Sequence, residues 1–163
     1  MKTLVVYYSR TGRTRAAATR LAAVLNADLD EIHDVRNRSG VVGYLAGGRD
    51  AWLERETGLA PPKYDPSGHD LVVLAGPVWA FTICPAMRAY LRLCAGKIRQ
   101  AAFLCTQGGR GSERAFTAME ALLGKPPVAT LTLIDREIDR GRADAAIEEF
   151  AGRLRAGAVT PAA

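Results

Sequence analysis

The chain has 163 residues, 48% of them hydrophobic and 24% charged, which suits one domain of ordinary size with a substantial core and argues against two. Its formal charge of +5 would suit a polyanionic partner, but the 22 basic residues are scattered rather than gathered in one run, so nucleic acid is not expected. Three cysteines without a CxxC pair and two widely separated histidines, His33 and His69, argue against a disulfide framework and a metal site.

The first apolar run, 4–8, is broken at once by Ser9-Arg10 and is too short for a signal peptide. No other stretch approaches the roughly 20 apolar residues of a membrane span. A soluble, cytoplasmic protein is expected.

Strands are expected at about 3–8, 28–33, 71–76, 101–105 and 129–134, where short apolar runs are rich in β-branched or aromatic residues. Helical patterns lie between and after them. The first starts near Gly12, with Ala18, Leu21, Ala22 and Leu25 on one face and Asn26 as its stop. A second spans about 41–55, where Val41, Leu45, Gly48 and Trp52 share a face; Tyr44 and Trp52 there pack in the core, cover the site or pack against another subunit. Residues 57–69, with Pro61, Pro62, Pro66 and Gly68, read as a loop.

Pro85 opens a third helix whose stripe is Met87, Tyr90, Leu91 and Cys94, ended by Gly96. Ser112 is expected to cap a fourth, with Ala115, Phe116, Met119, Leu122 and Leu123 inward and Gly124, Pro126 and Pro127 stopping it. The fifth carries Ala143, Ile147, Phe150 and Leu154. Alternating strand and helix predicts a doubly wound α/β domain: a five-stranded parallel sheet between two helix layers, spanning 1–156, with a frayed tail at 157–163.

Ligands of open parallel sheets bind beyond the carboxyl ends of the strands. After the first strand come Ser9, Arg10, Thr11, Gly12, Arg13 and Thr14, three hydroxyls around a glycine at a helix start. Such a segment suits an anion, because hydroxyls and free N–H groups donate to phosphate oxygens and the helix dipole favours negative charge. It is neither G-x-G-x-x-G nor a P-loop, so a mononucleotide phosphate fits best. After the third strand, Pro77, Val78, Trp79, Ala80 and Phe81 place two aromatics where a planar ring can stack, or where they simply close the core. After the fourth, Thr106, Gln107, Gly108 and Gly109 allow close backbone approach to a flat ligand, or form a plain turn.

Together these segments resemble the FMN-binding loops of the flavodoxin family, short-chain type, over about 3–134; the match to Ser-x-Thr-Gly-x-Thr is the most specific part. The resemblance implies the strand order 2-1-3-4-5 and FMN as cofactor. It implies that Ser9, Thr11, Gly12 and Thr14 hold the phosphate, that Trp79 lies beside the isoalloxazine, and that 106–109 line its pyrimidine edge. The implied function is electron transfer through the flavin, to a redox partner protein or a small acceptor such as a quinone.

Two departures from the family pattern stand out. Arg13 occupies a position where flavodoxins commonly carry Asn, so with Arg10 two cations are expected to face the phosphate. The third loop lacks the tyrosine that usually covers the ring. These features, with the basic charge, also fit an NAD(P)H-dependent quinone reductase; Arg13 crowding the loop would fit a non-redox module that has lost FMN.

Overall fold

The computed structural model describes residues 1–33 and 58–157. The helical candidate at 41–55, with Tyr44 and Trp52, and residues 158–163 of the tail lie outside the described residues.

Five parallel strands form one sheet: β1 (Thr3–Tyr7), β2 (Asp28–Glu31), β3 (Leu71–Trp79), β5 (Gln100–Gln107) and β6 (Thr130–Ile134). Their order, β2-β1-β3-β5-β6, is the expected 2-1-3-4-5 once the added strand is counted. That strand is β4 (Thr82–Ile83), which pairs antiparallel with the end of β3. β3 therefore runs three residues past the expected boundary: Pro77, Val78 and Trp79 belong to a strand, because Thr106 of β5 pairs with Pro77 and β4 pairs with Val78 and Trp79. β5 likewise takes in Thr106 and Gln107.

Alternation along the strands sorts the core into two layers. Leu4, Val6, Val72, Leu74 and Phe103 pack against α2 (Pro85–Cys94) and α3 (Ser112–Leu123), through Met87, Tyr90, Leu91, Ala115 and Met119. Val5, Val73, Leu104, Leu131 and Leu133 point the other way, onto Ala18 and Leu21 of α1 (Arg13–Leu25) and Ile147, Phe150 and Leu154 of α5 (Asp144–Gly157). Helices on both faces of a parallel sheet are the three-layer architecture expected.

α1 ends as anticipated at Asn26, whose left-handed backbone (φ 50°) lets its N–H reach the carbonyls of Ala22 and Ala23. Ser112, in contrast, does not cap α3. It is the first helical residue, and Gly111 (φ 116°) holds the cap position. A short helix, α4 (Asp135–Asp139), follows β6 directly and was not apparent from the chain's periodicity. No helix among the described residues is long and apolar enough to cross a membrane.

Candidate functional site

A cavity of about 250 Å³ opens at the carboxyl ends of β1, β3, β5 and β6. It is lined by Arg10, Thr11, Arg13, Thr14, Pro77, Val78, Trp79, Thr106, Gln107, Gly108 and Asp135. Ten of these are residues singled out in the chain; Ser9, Gly12, Ala80, Phe81 and Gly109 are not part of the lining.

Ser9 and Gly12 act one step back. The Gly12 N–H donates to Ser9 Oγ at 3.1 Å, closing the turn that leads into α1. Gly12 is the N-cap residue at φ 93°, a conformation that L side chains rarely adopt, and no side chain caps the helix. The first turn of α1 carries no acidic residue. Its N–H groups therefore meet the cavity mouth with a positive dipole end and no competing carboxylate on their own helix.

Arg13 departs from the expected arrangement. Its Nε and Nη2 each donate to Asp139 at 2.8 Å, and Nη1 lies 3.5 Å from Asp135. The guanidinium is thus engaged by two carboxylates of α4, while the residue still forms part of the wall. Arg10 sits differently, its guanidinium carbon 5.9 Å from the centroid of the Trp79 ring. Trp79 is 7% exposed and meets Tyr8 edge to face at 5.7 Å. The indole is thus both packed into the core and exposed to the cavity.

Thr14 and Thr106 join the two sides of the site, their hydroxyls 2.8 Å apart and buried. Gln107 shapes the glycine loop. Its Oε1 accepts the Ser112 N–H at 2.9 Å and its Nε2 donates to the Gly109 carbonyl at 3.1 Å. Asp135 is the lining residue that belongs to none of the three loops. Its signal was position, a carboxylate immediately after the last strand, at the edge where ligands bind. Burial raises its carboxyl above the ordinary range, Arg13 opposes the shift and Asp139 adds to it.

This sheet order and a cavity at its carboxyl edge define a flavodoxin-like α/β protein. No family profile and no curated protein matches the chain. Solved structures do. It is similar to a flavoprotein from Lactobacillus acidophilus in complex with FMN, at 20% identity over 85% of this chain and 97% of that one, TM-score 0.69. It is similar to an NADH:FMN oxidoreductase in its apo form, at 13% identity over 100% and 91%, TM-score 0.61. A flavodoxin of Streptococcus pneumonia aligns at 15% identity over 96% and 99%, TM-score 0.57.

Proposed function

We propose that the chain binds one FMN in this cavity and moves electrons through it. The observation that carries the reading is the convergence of three chemistries on one cavity. Thr11 and Thr14 lie at the uncapped start of α1, the Trp79 indole forms a wall, and Thr106 and Gly108 form the far edge.

These residues fit the cofactor. A phosphate finds hydroxyls and N–H donors and the positive end of a helix dipole. Chain neighbours Thr11 and Arg13 aside, nothing crowds Gly12: a Cβ built there would meet no other atom within 4 Å. Thr11 and Thr14 would hold the phosphate with the first-turn N–H groups, and Ser9 with Gly12 would keep the turn in shape. Trp79 would lie beside the flat ring, and 106–109 would face its polar edge. FMN, when bound, supplies reversible electron transfer; the protein binds, orients and shields it.

The contacts of Arg13 weigh against a module that has lost its cofactor, because Asp139 and Asp135 hold the guanidinium that would otherwise crowd the phosphate. A second reading, an NAD(P)H-dependent reductase of quinones or related acceptors, draws support from the glycine loop. Gly108, Gly109 and Arg110 are all exposed, with no aromatic side chain of their own loop to cover a ring.

The test is a titration of purified protein with FMN, followed by flavin fluorescence. Saturation at one equivalent supports the reading; no quenching at high concentration refutes it. Mixing the loaded protein anaerobically with NADH or NADPH then separates the two forms: prompt bleaching marks a reductase, none a carrier served by a protein partner.

A further inference from the structure

Phe81 is the one large aromatic among the described residues that stands well out of the core, 50% exposed, two positions after the buried Trp79. It is held there against backbone preference. β3 and β4 form a hairpin with Val78 opposite Ile83 and Trp79 opposite Thr82, so Ala80 and Phe81 are its two-residue turn. Their φ angles are 48° and 63°. Both are in the left-handed region that Asn and Gly tolerate and that a bulky aromatic rarely adopts. Such strain persists only where the surroundings impose it.

Here the surroundings are the glycine loop. A Cβ on Gly111 would lie 2.9 Å from Phe81 Cα and 2.9 Å from Val78 Cγ1, so the hairpin is seated directly on that glycine. The guanidinium carbon of Arg110 lies 5.5 Å from the Phe81 ring centroid. Arg110 is exposed, and no carboxylate pairs with it among the described residues. Val78 lines the cavity, so this aromatic–cation pair stands at its rim and not inside it.

We propose that Phe81 and Arg110 form a second binding site, beside the cofactor cavity, for a planar aromatic molecule carrying an anionic group. The ring offers a stacking face, and the guanidinium a flat cation that both stacks and receives the anion. Anionic quinones and the nicotinamide mononucleotide portion of a dinucleotide share this chemistry. The site rests on the FMN reading for its purpose but not for its existence.

The experiment is calorimetric titration of anthraquinone-2-sulfonate, and separately of nicotinamide mononucleotide, into FMN-loaded and FMN-free protein. Wild type is compared with Arg110→Gln and with Phe81→Asn, which removes the ring but tolerates the turn. One equivalent of at least one probe is expected to bind wild type, and each variant to bind it roughly fivefold more weakly. The uncharged quinone menadione should lose less affinity on Arg110→Gln than the anionic probe does, and respond as strongly as that probe to Phe81→Asn. Flavin affinity, measured separately, should stay within about twofold in both variants.

Whichever probe binds more tightly identifies the source of the anion. The proposal is overturned if neither probe binds wild type, if both variants bind as wild type does, or if the variants lose FMN affinity by the same factor. Failure of FMN to bind refutes the cofactor reading alone, because the FMN-free titration still tests Phe81 and Arg110.

Discussion

The hydroxyl of Thr14, in the first turn of α1, lies 2.8 Å from that of Thr106, at the end of β5, and both side chains are only 2% exposed. One of the two protons is used between them, which leaves the other hydroxyl a proton to donate, and both residues line the cavity. Thr106→Val strands a buried hydroxyl and is expected to cost about 1–3 kcal/mol. Replacing both by valine removes the stranded group and should return stability close to wild type, while FMN affinity stays about tenfold down. Urea unfolding and flavin fluorescence read the two effects apart. A double variant that recovers both would make the pair purely structural.

The hairpin at β3–β4 makes a second pair of expectations. Gly111→Ala places a methyl 2.9 Å from Phe81 and Val78 at φ 116°, and should cost on the order of 1–3 kcal/mol. Ala80→Gly relieves a left-handed alanine and should stabilise by up to about 1 kcal/mol, since unfolded-state entropy offsets part of the gain. Thermal melts of the two variants should move in opposite directions.

Asp135 and Asp139 flank Arg13 and respond to pH with opposite signs. Burial raises the Asp135 carboxyl, so the folded protein holds that proton more tightly than the unfolded chain. Its contribution to stability is therefore present at acid pH and falls as pH rises through the raised value. Hydrogen bonds from Arg13 lower Asp139, whose contribution is present above the ordinary carboxyl range and lost as pH falls. Asp135→Asn should leave neutral-pH stability unchanged or slightly higher. It should also tighten FMN a few-fold by removing a negative charge from the cavity wall. Arg13→Gln should abolish the Asp139 contribution, seen as a flatter melting profile at about pH 3–5.

Cys105 is buried near the carboxyl end of β5, and desolvation raises its thiol well above the usual range. Cys84 and Cys94 are buried as well. All three should resist a thiol-reactive dye in the native protein and react together on unfolding. Rapid labelling of Cys84 or Cys105 in the folded state would show that the strand ends near the site open readily.

Periodicity was enough for the α/β layering, because the strands of a sheet buried on both faces and the amphipathic helices over it leave strong patterns in the chain. α4 left none: its five residues, Asp135 to Asp139, include a single apolar side chain, Ile138, which packs on the core but makes no stripe. The end of β3 was hidden for a related reason. Pro77 reads as loop, and only pairing with the two-residue β4 makes Val78 and Trp79 strand.

The three loops that build the site were recognisable from hydroxyl, aromatic and glycine content. The direction of each side chain was not. Arg13 was expected to face the phosphate, yet it lies on Asp139, which is 126 positions away. Gln107 is spent on Ser112 and Gly109. Such choices depend on partners distant in the chain, and no local motif contains them.

If the start of α1 is the proposed phosphate cradle of a flavin site, FMN and riboflavin must bind with very different affinities. The two ligands share the ring and differ only in the phosphate. One equivalent of FMN is expected to bind, and riboflavin about a hundredfold more weakly, the worth of two or so charge-assisted hydrogen bonds. Equal affinity for both, or binding of neither, would contradict the proposed cradle.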